Sequence, residues 1–308
     1  MSMTQAELSY YYHFSMYPDN LVKFAFREFL DHGIDRFVFS DSMITRCLKE
    51  PAYLDFLRDL TKKPGVKLVS MHAPFGGEYD LNIPVPERRA GMISDHIRAM
   101  EIAAEFGSKT YTIHVGAYHY CSCGAELPVL RKYALEALEQ LVPAAEKNGL
   151  VLAVENSFEP PNSAREVLDL ITPFLSSPAI GVCYDTGHAN VMASAPGKKL
   201  ENYPDWLTGK NWRNNFVYED NALALLRDHI VTTHIHDNSG YADHHGMPGD
   251  GTIDWKTLIP ELKACPRMLE YQTEVTMLDG VNWAGTLLAP PGGYSVKRLV
   301  ETFRNLGF

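Results

Sequence analysis

Short apolar runs recur along the chain, each followed by a stretch with helical spacing, and this alternation limits the fold more than any other feature. The runs lie at roughly 7–15, 36–40, 67–72, 110–115, 150–155, 180–185, 230–236 and 269–275. Several are apolar at nearly every position, as in Val151-Leu152-Ala153-Val154 and Ile180-Gly181-Val182-Cys183-Tyr184, a pattern that suits parallel strands buried on both faces. In 87–106 the apolar residues Ile93, Ile97, Met100 and Ala104 step by four, three and four, and Gly107 stops the pattern. In 126–148 Leu127, Leu130, Ala134, Leu138, Leu141 and Ala145 do the same, ending at Asn148-Gly149. Shorter helices fit 19–32, 43–62, 163–175, 219–228, 254–264 and 295–306. Strand and helix in strict alternation predict an α/β chain folded as a (β/α)8 TIM barrel, one domain spanning 1–308. An open doubly wound sheet is the alternative, but no GxGxxG follows the first strand.

Composition narrows the partners. The net charge is −10, from 28 basic and 38 acidic residues, and no Lys/Arg cluster breaks it, so nucleic acid is disfavoured. No apolar run approaches the roughly 18 residues of a membrane span. The first residues, MSMTQAELSYYYHF, show no basic segment leading into an apolar one, so no secretory signal is expected. Cys47, Cys121, Cys123, Cys183 and Cys265 are odd in number and irregular in spacing, which predicts a reduced, cytoplasmic protein.

The predicted strand ends carry the chemistry. They deliver His72, His114, Glu155, Asp185 with His188 just beyond, His234 with His236, and Glu274 to one rim. A lone histidine on an apolar strand is ordinarily a hydrogen-bonded core residue. A rim of buried imidazoles and carboxylates needs a shared partner, and a cation supplies one. The cysteine-free donor set suits Mn, Zn, Co or Fe, with Mg where oxygen dominates. His234 and His236 lie two apart on a strand and face the same way, so one can bind metal while the other contacts a ligand or the substrate. Two long loops follow strands. One, at 190–218, holds Tyr203, Trp206, Trp212 and Phe216; the other, at 276–294, holds Trp283 and Pro290-Pro291. Both are read as lids, with Trp212 a candidate substrate contact, or as plain surface excursions. The CSCG at 121–124 beside His119 lacks a second thiol pair and reads as a loop. The Gly-rich 246–251 holds no Lys or Arg and is read as a turn that sets Asp243 and His245 over the rim. YYYHF at 10–14 is read as core packing that could reach the pocket.

HAP at 72–74, EN at 155–156, DTGH at 185–188, HIHD at 234–237, PGDGTIDW at 248–255 and Glu274, taken in order, resemble the xylose isomerase-like barrel superfamily. That group holds sugar isomerases and epimerases, sugar phosphate enzymes among them, and also endonuclease IV. The resemblance implies a metal held by Glu155, Asp185, His234 and Glu274, with Glu155 and Glu274 as the acid–base pair and His188 touching the substrate. The endonuclease IV branch holds three zinc ions, and its ligands match His72, His114, Glu155, Asp185, His188, His234, Asp243, His245 and Glu274. One to three ions are therefore implied. The expected function is a divalent-metal-dependent sugar isomerase or epimerase. It would move a proton through an enediolate that the metal stabilises, on a small carbohydrate substrate, in a chain that could form homo-oligomers. The alternatives are a multi-zinc phosphodiesterase, a sugar dehydratase or lyase, and a sugar-binding protein without catalysis.

Overall fold

A computed structural model describes residues 6–62, 65–116, 125–159, 162–203, 214–277 and 293–308. Eight parallel strands close into a barrel in chain order. They are β1 (Glu7–Tyr10), β2 (Arg36–Phe39), β3 (Lys67–His72), β4 (Thr110–Ile113), β5 (Val151–Glu155), β6 (Ile180–Asp185), β7 (Ile230–Ile235) and β8 (Glu270–Thr273). β1 closes on β8 in register from Glu7↔Glu270 to Tyr10↔Thr273. The outer ring comprises α1 (Asp19–Asp31), α2 (Asp41–Lys49), α3 (Pro51–Thr61), α4 (Pro86–Glu105), α5 (Leu127–Lys147), α6 (Ala164–Ile171), α7 (Thr186–Met192), α8 (Ala222–Leu226), α9 (Trp255–Lys263) and α10 (Val296–Asn305). This is the (β/α)8 TIM barrel that the alternation predicts. No described helix is long and apolar enough to cross a membrane.

Several boundaries differ from the sequence reading. The helix expected over 43–62 is two helices, broken at Glu50-Pro51. Proline disfavours helical backbone in the residue before it, and Glu50 sits at φ −129°, ψ 92° before the new start. Helix 219–228 shortens to α8 followed by a 3-10 turn, Arg227–His229. The first strand stops at Tyr10 instead of running to 15, because a 3-10 turn, Phe14–Met16, follows. The loop expected over 190–218 starts later, since the helix α7, whose N-cap is Asp185, runs on to Met192.

Polarity inside the barrel is the reverse of the continuous apolar strand pattern. The apolar core is an annulus between strands and helices: Phe37 of β2, for example, meets Phe26 and Phe29 of α1. Many residues pointing into the lumen are polar, with Ala153, Cys183 and Val231 a small apolar group among them. Ser9 and Ser70 approach to 3.4 Å across the barrel. Thr110 donates to the Glu270 carboxylate, and Gln272 Nε2 donates to Thr232 Oγ1 at 3.0 Å. Burial pushes the Glu270 carboxyl up to about 7, although Thr110 and Gln272 pull the other way. The described cysteines Cys47, Cys183 and Cys265 are free and buried.

Candidate metal centre

Parallel strands in a closed barrel end on the same rim, so the residue that ends each strand is placed by topology alone. His72, Glu155 and Asp185 are the last residues of β3, β5 and β6. His114, His236 and Glu274 follow β4, β7 and β8 by one residue, and His234 lies within β7. His188 arrives on the first turn of α7, whose N-cap Asp185 accepts the His188 N–H through Oδ1 at 2.6 Å. Asp243 and His245 lie on a loop pinched shut where Asp237 and Gly246 exchange two backbone hydrogen bonds, at 2.8 and 2.7 Å.

The donors converge. Glu155 Oε1 lies 3.2 Å from His234 Nδ1 and 3.3 Å from His188 Nδ1. Glu155 Oε2 lies 3.0 Å from His114 Nε2 and 3.8 Å from His72 Nε2. Glu274 Oε2 lies 3.0 Å from His234 Nδ1, and Asp185 Oδ2 lies 3.7 Å from it. Glu155, Asp185, His234 and Glu274 can each turn one donor atom to within 4.8 Å of the others. His188, His236, Asp243 and His245 form a second such group, and His72, Glu155 and His234 a third that overlaps the first.

Three features test whether these residues fit a cation. First, the N···O approaches are close, yet both Glu155 oxygens, both His234 nitrogens, Glu274 Oε2 and Asp243 Oδ1 are buried and make no hydrogen bond. Orphaned buried polar atoms are costly, and a cation between them removes that cost. Second, His72, His188 and His245 each direct Nδ1 to a backbone carbonyl, of Ala73, Asn156 and Glu274, at 2.8, 2.9 and 2.9 Å. That bond fixes the tautomer and leaves each Nε2 lone pair for the site. Third, His245 takes φ +47°, a left-handed backbone costing about 1–3 kcal/mol in a non-glycine residue, of the kind that clusters at functional sites. The donor set fits a divalent ion of the zinc or manganese kind.

Charge is balanced here by protons. Burial lowers His188, His234 and His245, but it is outweighed by Asp185 and Asp243 around His188, by Cys183, Glu155 and Glu274 around His234, and by Asp243 around His245. All three imidazoles titrate above their ordinary range, His245 near about 10. Burial raises Glu155, Glu274 and Asp243, yet His234 beside the two glutamates and His245 beside Asp243 hold all three below the carboxylate range. His72 is lowered by burial and then by His114 and His234.

The surrounding motif residues hold this geometry. His236 is fully buried, with Nε2 at 2.9 Å from Asp185 Oδ2, so it faces a carboxylate of the first donor group. A Cβ on Gly187 would stand 2.0 Å from the His236 ring, which accounts for the glycine in DTGH. Asn156 binds the Asp185 backbone in both directions, at 3.0 and 3.1 Å. The Asp237 carboxylate accepts from Gly249 N, Ile253 N and Trp255 Nε1 at 2.9, 3.2 and 2.8 Å, which explains PGDGTIDW as a loop wrapped on one buried anion. Gly251 must lack a side chain because a Cβ would meet Asp237 Oδ1 at 2.2 Å.

Some site residues escaped the sequence reading. Phe75, partly exposed, stacks on His114 at 4.7 Å and 23°. Glu159 lies within electrostatic reach of His188 and His114, and burial raises its carboxyl. Its spacing of four from Glu155, in ENSFE, was the available signal. From the 190–218 loop, Tyr203 is buried and meets the Phe216 and Tyr241 rings in a cluster with Val191 that Phe158 packs against, while Phe158 meets the His188 ring at 5.2 Å. Trp206, Trp212, Trp283, Pro290-Pro291, His119 and CSCG at 121–124 lie outside the described residues.

A family model described as xylose isomerase-like TIM barrel matches residues 26–283. The chain belongs to this family. An uncharacterised protein of Methanocaldococcus jannaschii is 27% identical over 222 residues, 69% of this chain and 66% of its own, so the match spans just under two thirds of that relative. Among solved structures of the same fold, a D-psicose 3-epimerase crystallised in the presence of D-fructose superposes with a TM-score of 0.67 at 15% identity, covering 98% of this chain and 96% of that one. The IolI protein with a bound zinc atom superposes with a TM-score of 0.65 at 16% identity, covering 97% and 96%.

Proposed function

We propose that this family member is a divalent-metal-dependent sugar isomerase or epimerase. The observation that carries the reading is the pairing of Glu155 and Glu274 across His234, each within 3.2 Å of Nδ1, in a buried group that also takes in Asp185. Glu155, Asp185, His234 and Glu274 would hold the ion. When bound, it supplies Lewis-acid polarisation of a substrate carbonyl, which acidifies the adjacent C–H. One glutamate takes that proton as a carboxylate. The other passes a proton taken up from water to the opposite face for epimerisation or to the neighbouring carbon for isomerisation. His188 is placed to donate to the oxygen on which charge develops, its ring held by Asn156 O and backed by Phe158. The D-psicose 3-epimerase of the same fold supports this class of substrate.

The test is turnover of D-fructose, D-psicose and D-tagatose by zinc- or manganese-loaded protein in deuterium oxide. Product carrying deuterium at the inverted carbon is expected, with Glu155→Gln and Glu274→Gln each losing at least about a thousandfold in kcat. Product that keeps all its protium, or a variant with near-full turnover, sinks the proposal.

A second reading rests on the second donor group, His188, His236, Asp243 and His245. Two or three zinc ions per chain together with cleavage of abasic-site DNA would make the protein a phosphodiesterase. The acidic net charge of −10 weighs against that substrate.

A further inference from the structure

Neither donor group takes up YYYHF at 10–14. On β1 the lumen-facing residues alternate: Ser9 reaches Ser70, and Tyr11 is the next in phase. The ladder to β8 continues past the strand, since Tyr11 N donates to Thr273 O at 3.3 Å, and the chain then turns at His13, whose φ −79° and ψ 57° open the 3-10 turn. Tyr11 is buried; its hydroxyl donates to the Asp41 carboxylate, and its ring meets His72 at 6.0 Å and His13 at 5.4 Å, edge-on in each case. Asp41 opens α2, is half-buried and has no Lys or Arg partner among the described residues. His13 is half-buried, within electrostatic reach of Asp41, His245 and Glu274, and makes no hydrogen bond among the described residues. Burial lowers its imidazole below the ordinary range although Asp41 opposes, so it is neutral at pH 7. A neutral imidazole offers one donor and one acceptor, the complement of a hydroxyl.

We infer that His13 and Asp41 form the subsite for the hydroxyls at the non-reacting end of a free, unphosphorylated sugar. The inference rests on the isomerase reading. The reacting carbon must lie between Glu155 and Glu274, and the first donor group fills the β5–β8 side of the rim. The rest of a hexose chain then runs over the β1–β3 side, where His13 and Asp41 stand. Phe75, stacked on His114, adds an apolar surface there for its C–H face. A phosphate at that end would meet the Asp41 carboxylate, which repels it; a hydroxyl suffers no such repulsion.

The experiment compares D-fructose and D-fructose 6-phosphate as substrates of zinc-loaded wild type, His13→Ala and Asp41→Asn, with zinc affinity measured by calorimetry. Wild type should prefer the free sugar by at least about tenfold. Each variant should raise KM for D-fructose about tenfold, lower kcat less than threefold and bind zinc within about twofold of wild type. Asp41→Asn keeps an acceptor for Tyr11 and so covers the case in which His13→Ala fails to fold. A preference for the phosphate ester, an unchanged KM in the variants, or a KM rise that tracks lost zinc affinity overturns the subsite alone. A wild type that turns over neither sugar overturns the isomerase reading and the subsite with it.

Discussion

Glu270 carries the clearest pH signature in the lumen. Its folded carboxyl titrates near about 7 against an ordinary 4.5, so between those values the folded state binds the proton that the unfolded chain has lost. Stability from this residue is therefore full at acid pH and declines as pH rises through about 7, by about 1.4 kcal/mol for each pH unit between the two values. Glu270→Gln should stabilise the protein by about 1–3 kcal/mol at pH 8 and change little at pH 4.5, read from urea unfolding at both. At the candidate metal centre it is cation affinity that pH controls. His234 holds a proton that a cation in the first donor group must displace, and His188 and His245 hold protons that only a cation in the second group would displace, so zinc binding should release protons at pH 7 and weaken about tenfold per unit of falling pH for each proton displaced. Calorimetry in two buffers of different ionisation enthalpy reads the count; zero protons would contradict it. At this scale the strand-end residues were legible, because a closed parallel barrel puts every strand end on one rim. Asp41 was not, because it opens a helix where no strand period places a side chain; Glu159 left only its spacing of four from Glu155, and YYYHF gave His13 no more than a place near the pocket.

Among the elements, α7 decides most. It is seven residues long, too short and too rich in small residues for a periodic signal, yet it places His188. Its trace in the sequence was Asp185 in N-cap position, three residues before His188. Gly187→Ala would drive a methyl into the His236 ring, 2.0 Å away, and that ring cannot retreat because His245 stacks on it at 4.0 Å. Zinc affinity should fall at least about tenfold as Asp185 loses its partner, while the circular dichroism spectrum is kept. Unaltered affinity would show that His236 does not position Asp185. The same balance of local rules explains α2 and α3. The apolar spacing over 43–62 is continuous, but Pro51 removes a helical N–H and breaks the helix at Glu50.

At the scale of the whole molecule, fold class was readable because the alternation repeats around the ring and each repeat corroborates the others. The polar lumen was less so, although Glu270, Gln272 and Glu274 alternate with Tyr271 and Thr273 in the sequence itself. Apolar runs at β5 and β6 masked that alternation: Ala153 and Cys183 are the small inward residues there. Because the candidate donor groups draw on residues from β3 to β8, cation binding should stabilise the entire barrel. Zinc at a hundredfold excess over Kd adds about 2.7 kcal/mol, a rise of roughly 5 °C in Tm, removed by a chelator. An unchanged melting curve would contradict a cation shared by these elements.

The annular core separates two tasks that most small proteins must solve with the same residues. What keeps the barrel closed is the grease between strands and helices; what the barrel does is decided in its bore and at its mouth. Exchanging Ser9, Ser70 or Thr232 alters the hydrogen bonds of the bore and leaves the packing between strands and helices in place. The bore can therefore be altered one side chain at a time while the annular packing stays as it is.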